Sequence, residues 1–327
     1  MDKKIYVSSS PHFNFKCSTQ MIMGTVLIAL LPEVIMGIVL FGLAALIRIL
    51  VSVASCVLFE FLFQKITKQK IIIKNLSACV TGVMMALVCP PTAPVWIFVI
   101  GAAVAMIVAK GLFGGIGSNV FNPALTGRAF MFLSFPAAMG ASWMAPKALG
   151  GMDAISSATT LSAIKAGTFV IEDGTYWQYF IGNRAGCIGE TSILLILISF
   201  AFLVLTHIID WRAPVAMVGT VAVCSLIAGE NLAMSIMTGG LIFGATFMVT
   251  DYATAPVTKK GRLIFGFGCG LITFLIRKFG GYPEGVMFSI LIMNSVAPFL
   301  NNLTARKYGY VKKAGRPADA SNAKEAK

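Results

Sequence analysis

The chain has 327 residues, 57% of them hydrophobic and only 12% charged, with a formal net charge of +13. Soluble domains carry about a quarter charged residues, so this composition excludes a soluble fold and predicts an integral membrane protein. The basic residues cluster in short stretches beside apolar runs, the pattern that orients membrane segments, and no nucleic-acid partner is expected.

Taken in chain order, residues 1–20 are polar and include Lys3, Lys4 and Lys16. They lack the apolar core and small-residue cleavage site of a signal peptide, so the first span is expected to remain as an anchor. Apolar runs of about 20 residues then predict ten transmembrane helices. They are read at 21–41, 44–64, 76–92, 95–113, 119–135, 188–208, 212–228, 232–250, 262–279 and 285–302. An even count puts both termini on one side. Lys65, Lys68, Lys70, Lys74, Arg212, Lys259, Lys260, Arg262 and the tail from Arg306 to Arg316 share that side. The positive-inside rule makes it cytoplasmic. Lys147, Lys165, Arg184, Arg277 and Lys278 fall on the opposite face.

The expected organisation is a cytoplasmic segment (1–20), a five-helix membrane repeat (21–135), an extracytoplasmic loop (136–187), a second five-helix repeat (188–303) and a basic cytoplasmic tail (304–327). Gly111 to Ser118 leads into Phe121-Asn122-Pro123-Ala124-Leu125-Thr126-Gly127-Arg128, and Gly280-Gly281 into Tyr282-Pro283-Glu284-Gly285-Val286. Each is a Gly/Pro break at the fifth span of its half. An odd number of spans per half predicts an inverted repeat, and matched breaks point to binding near the midplane.

The loop between the halves is unusually long for a membrane protein, and long loops in compact chains tend to be functional. It holds Asp153-Ala154-Ile155-Ser156-Ser157-Ala158-Thr159-Thr160-Leu161-Ser162, together with aromatic residues such as Trp143, Tyr176 and Trp177. No His or Lys stands beside the Ser/Thr run as a base, which disfavours a hydrolase.

Charges inside a bilayer are costly and mark ion or substrate paths. The candidates are Glu33, Glu60, Arg128, Asp251 and Glu284. Asp251 also suits a turn cap, Glu284 a helix start, and Glu60 snorkelling to the interface. Asp251, Glu284 and Glu33 are read as the ion pathway. The seven cysteines show no Cys-x-x-Cys or Cys/His spacing, so no metal site is expected in this chain alone.

Four features together resemble the membrane flavoprotein of the Rnf complex (its D component), the ion-translocating ferredoxin:NAD oxidoreductase. They also resemble its relative, the B component of the sodium-pumping NADH:quinone oxidoreductase. They are Ser8-Ser9-Ser10-Pro11-His12, the run from Phe113 to Asn119 and on to Gly127-Arg128-Ala129-Phe130, the Tyr282 to Val286 break, and Ser156-Ser157-Ala158-Thr159. The resemblance implies an all-α fold of ten helices in an inverted 5+5 repeat like that of urea transporters. It also implies FMN esterified through its phosphate to Thr159 by a separate flavin transferase, with Ser156, Ser157 and Ala158 completing the motif and Asp153 shaping the turn. Thr160 is a competing acceptor, and Ser157 stands where relatives often have Gly. Relatives further hold a noncovalent riboflavin, here expected near Asn119, Asn122 and Arg128.

The reading is a membrane flavoprotein subunit of a redox-driven pump, coupling electron relay to Na+ or H+ movement. It is not catalytically complete alone. Its expected partners are the other membrane and peripheral subunits, including a second covalent flavoprotein and iron–sulfur subunits. The rival reading is a stand-alone channel or carrier for a small polar solute, which broken helices serve equally well. A structural scaffold is disfavoured by the buried charges.

Overall fold

The structure is a computed structural model and describes residues 18–140, 160–166, 174–282 and 284–305. Asp153, Ser156, Ser157, Ala158 and Thr159 lie outside the described residues, as do Ser8 to His12 and Pro283.

Every described element is helical. The first half holds α1 (Thr19–Phe41), α2 (Leu43–Ile66), α3 (Ser77–Leu87), α4 (Val95–Ala103, continued by a π-helical stretch, Val104–Gly111) and α5 (Pro123–Ser134). Three short helices follow: α6 (Pro136–Gly140), α7 (Thr160–Lys165) and α8 (Thr175–Ile181). The second half holds α9 (Ile193–Leu205), α10 (Arg212–Ile227), α11 (Leu232–Met237), α12 (Leu241–Phe243, continued by a π-helical stretch, Gly244–Met248), α13 (Lys259–Phe279) and α14 (Val286–Thr304). Among the described residues, α1, α2 and α14 are long and apolar enough to cross a membrane. This is a membrane protein.

Several predicted spans are shorter than the apolar runs that contain them, for local reasons. The run at 76–92 stops as a helix at Leu87, just before Pro90 and Pro91, which cannot continue one. The run at 119–135 becomes helical only at Pro123, with Asn122 as cap: its Oδ1 accepts from Leu125 N at 3.2 Å. The run at 188–208 starts at Ile193. The run at 232–250 is not one helix. It breaks after Met237, where Gly239 takes a φ of +67° that only glycine adopts without strain. The loop at 136–187 is not uniformly irregular, since α6, α7 and α8 fall within it.

The two halves use the same kind of packing. In the first, α2 packs on α3 and α4, and α4 on α5; in the second, α10 packs on α11 and α13, and α13 on α14. The α10–α13 contact is close because Gly266 and Gly270 face α10: a Cβ on Gly270 would stand 2.5 Å from the Met217 carbonyl. Small residues four apart let helix backbones approach where lipid offers no hydrophobic drive. Helix α1 lies against α9 and joins the halves.

Candidate functional site

The break between α11 and α12 leaves backbone groups with no helical partner, and side chains from distant segments satisfy them. Arg277 of α13 donates to the carbonyls of Ser235 (2.7 Å) and Thr238 (3.1 Å). Arg184 donates to the carbonyls of Met237, Glu190 and Thr191. On the other side of the break, Gly240 N–H donates to Glu284 Oε1 at 2.8 Å. The second oxygen of Glu284 accepts from Arg128 Nη2 at 3.0 Å. Arg128 Nη2 also lies 3.7 Å from Cys187 Sγ.

Glu190 completes this cluster. It is buried, and its Oε1 lies 2.5 Å from where a Cβ on Gly240 would stand, with Glu284 Oε1 at 2.6 Å from the same point. Two carboxylates therefore converge on one glycine, balanced by Arg128, Arg184 and Arg277. A cavity of about 50 Å3 sits among Thr160, Arg184, Cys187, Glu190, Gly239 and Glu284. Thr160, first residue of α7, also shares a hydrogen bond with Tyr179 of α8.

A second, larger cavity of about 490 Å3 lies at the C-terminal end of α9, while the first lies by its N-terminal end. Thirteen helical residues at 1.5 Å rise separate the two by about 20 Å. Met23, Val26, Val80, Met84 and Phe247 give the larger cavity its apolar walls, and Asn119, Asn122, Thr81, Lys110 and Asp251 its polar groups.

The structure thus divides the residues that the sequence grouped. Asn119 and Asn122 line the large cavity, whereas Arg128, a turn and a half further along α5, joins Glu284 by the small one. Asp251 lines the large cavity and also caps its own turn, accepting from Thr254 Oγ1 at 3.0 Å and Ala253 N at 3.4 Å. Glu284 stands just before the cap of α14, and its Oε1 accepts from Gly240 N–H. Glu33 is 2% exposed in α1, and neither carboxylate oxygen has a hydrogen-bond partner among the described residues. Glu60 does not snorkel. Its Oε1 accepts from Lys110 Nζ at 2.6 Å, and that ammonium also donates to Ser77 Oγ at 2.6 Å.

Lys110, Glu190, Arg184 and Arg277 are the site residues that sequence reading missed. Lys110 sits in a run ending at predicted loop glycines, and the two arginines were counted as face charges. One signal was available for Lys110: a lone cation in an apolar run needs a buried partner, and Glu60 was within the same half.

Outside the apolar helices, Asp210 joins the start of α10 to α13. Its Oδ2 accepts from Arg212 Nη1 and Arg262 Nη1, each at 2.8 Å. Burial alone raises its carboxyl, but the hydrogen bonds from Arg212 N–H and both guanidiniums outweigh this and hold it below the usual range.

Residues 6–309 match the model of the NQR2, RnfD, RnfE family. The chain belongs to this family. It is 42% identical over 309 residues, 94% of its length and 96% of the relative's, to the D component of the Na+-translocating ferredoxin:NAD+ oxidoreductase complex of Acetobacterium woodii. It is 38% identical over 91% of its length to the D component of the proton-translocating ferredoxin:NAD+ oxidoreductase complex of Clostridium ljungdahlii, covering 94% of that protein. The D component of an ion-translocating oxidoreductase complex from Citrobacter koseri is 34% identical over 93% of this chain and 99% of its own. The family match covers both halves and both cavities. This chain is thereby placed among subunits of ion-translocating oxidoreductase complexes.

Proposed function

We propose that this chain is the membrane flavoprotein subunit of an Rnf-type ferredoxin:NAD oxidoreductase, relaying electrons through FMN esterified to Thr159 and coupling that relay to Na+ or H+ movement. The observation that carries the reading is near-full-length similarity to the D components of two such complexes. Those two relatives are named for different ions, so membership alone does not select one. The partners of this reading are the other membrane and peripheral subunits, a second covalent flavoprotein and iron–sulfur subunits among them, and a flavin transferase for maturation.

The fold belonging to this reading is ten spans in an inverted 5+5 repeat, both termini cytoplasmic and the 136–187 loop outside. The matched neighbours support it: α2 with α3 and α4 in one half, α10 with α11 and α13 in the other.

The larger cavity suits a noncovalent riboflavin. At about 490 Å3 it is in the range of small-molecule sites, about 300–1,000 Å3, and it pairs apolar walls with a few convergent polar groups. Asn119 and Asn122 offer amide donors and acceptors to the ring's polar edge, while Lys110 is held by Glu60 and Ser77. Arg128 is engaged by Glu284 at the other cavity, so this assignment stands without it. Bound flavin supplies one- and two-electron redox chemistry; the residues supply position and charge. Asp251, Glu284 and Glu33 are the proposed ion-path carboxylates, and the unpartnered oxygens of Glu33 are what a passing cation or proton requires.

Denaturing gel electrophoresis under ultraviolet light, on chain co-expressed with a flavin transferase, tests the reading. A fluorescent band lost in Thr159→Ala is expected. No band with an active transferase returns the chain to the solute-carrier reading.

A further inference from the structure

The turn leaving α9 and the segment entering α13 enclose a third cavity, of about 590 Å3. Leu205, Trp211 and Val257 line it together with Asp210, Arg212 and Arg262. The charges are arranged in depth. Asp210 bridges the two arginines through Oδ2, and its Oδ1 accepts from Arg212 N at 3.0 Å. Its side chain is 14% exposed, against 27% for Arg212 and 33% for Arg262, so the carboxylate lies beneath and the cations face outward. Arg262 Nε is fixed on the Pro256 carbonyl at 3.0 Å. The remaining guanidinium groups, Nη2 of both arginines and Nε of Arg212, have no hydrogen-bond partner among the described residues. One carboxylate between two guanidiniums leaves a net positive charge, and Lys259 and Lys260, exposed in the first turn of α13, add to it. Two guanidinium forks held side by side suit a phosphate, whose oxygens accept paired N–H bonds.

The surroundings decide which kind of phosphate. Leu205 and Val257, which line the cavity, are 78% and 73% exposed. Exposed apolar residues follow on both helices, Val215 on α10 and Leu263, Ile264 and Phe267 on α13. Exposed apolar surface of this extent marks contact with lipid or another apolar partner. Trp211, half exposed, carries the Arg212 guanidinium over its ring at 5.2 Å. Tryptophan and arginine together at a helix end suit the membrane–water boundary, where one side of each is apolar and the other wet. A free phosphate ion would meet the arginines alone, whereas a phospholipid would also cover these apolar groups.

We propose that this cavity binds the headgroup of an anionic phospholipid. The phosphodiester lies on the outward N–H groups of Arg212 and Arg262, and the acyl chains run past Val257 along the exposed face of α13. The inference is independent of the flavin reading. Asp210 is a positioning residue here: it holds two like charges together so that both address one phosphate.

The test uses the full chain, delipidated in detergent, with bound lipid counted by native mass spectrometry. Phosphatidylglycerol should occupy one saturable site about fivefold more tightly than phosphatidylcholine, whose headgroup is neutral overall. Val257→Glu sets a negative charge at the cavity without touching the Asp210 network, and should weaken phosphatidylglycerol about fivefold. Arg212→Gln should weaken it about tenfold, the loss of a charge-assisted hydrogen bond. Ile66→Glu, the same charge change at an exposed position on α2, should leave it unaltered. Equal affinity for the two lipids, unchanged binding in both site variants, or an equal loss in Ile66→Glu overturns the site. Displacement of phosphatidylglycerol by millimolar inorganic phosphate overturns the lipid assignment and makes a free anion the ligand. Should Arg212→Gln fail to fold, the exposed Val257→Glu decides alone.

Discussion

Arg128 and Glu284 are 156 positions apart in the chain, yet their side chains meet at 3.0 Å across the two halves. Glu284 places its other oxygen on Gly240 N–H. One carboxylate thus joins α5, the break before α12 and the approach to α14.

Removing one partner of a buried pair leaves an uncompensated charge, at about 3–5 kcal/mol. Glu284 keeps 21% side-chain exposure, so the lower end applies here. Arg128→Met should cost about 3 kcal/mol, and the Arg128→Met/Glu284→Met double variant should lose less than the two single variants summed, though not recover fully, because Gly240 N–H then lacks its acceptor. Thermal unfolding in detergent measures the double variant and both single ones; a double-variant loss equal to the sum of the two single losses would mean that the pair is not coupled.

Gly240→Ala forces a methyl between the carboxylates of Glu190 and Glu284, at 2.5 and 2.6 Å. Overpacking of this kind costs about 1–3 kcal/mol. Gly281→Ala, where an added Cβ meets nothing within 4 Å, serves as the control and should be silent. The same unfolding assay applies, and a tolerant Gly240 would show that the cluster has room to shift.

Asn119 donates to the Phe121 carbonyl and lines the large cavity without capping a helix. Asn119→Leu should therefore spare the fold and weaken noncovalent flavin binding about tenfold, the loss of one hydrogen bond to a buried partner. Riboflavin released per chain by acid precipitation gives the answer. Undiminished content would place that flavin elsewhere.

Asp210 is held below its usual range by Arg212 and Arg262. A depressed folded-state value stabilises above the unfolded value of about 3.9 and is lost as pH falls through the folded one. Wild type should exceed Asp210→Asn in stability above about pH 5, and the gap should close on acidification. A gap independent of pH would assign Asp210 a packing role only.

Hydropathy made the helical class and the buried charges Glu33 and Arg128 legible, because each is a property of a continuous stretch. What stayed hidden needed a partner from elsewhere. Arg184 and Arg277 look like ordinary face charges until the carbonyls of Ser235, Met237 and Thr238 are brought to them. Glu60 looked free to snorkel because Lys110, 50 positions on, was not in view. The break at Thr238 was masked by an apolar run that reads as one span, with only Gly239-Gly240 as a local sign. The Ser156-Ser157-Ala158-Thr159 run, on which the flavin expectation rests, lies outside the described residues.

The groups that hold this break arrive from outside the segment, at Arg184, Arg277 and Glu284. A synthetic peptide of residues 232–250 in micelles has none of them, and its carbonyls can be satisfied only by its own N–H groups, as in one uninterrupted helix. During synthesis Arg184 is already present when this segment emerges, whereas Arg277 and Glu284 arrive only with α13 and the approach to α14. The interruption is thus completed late in assembly: a chain stopped before Arg277 keeps the Arg184 contact to Met237 but leaves the Thr238 carbonyl and Gly240 N–H without their partners.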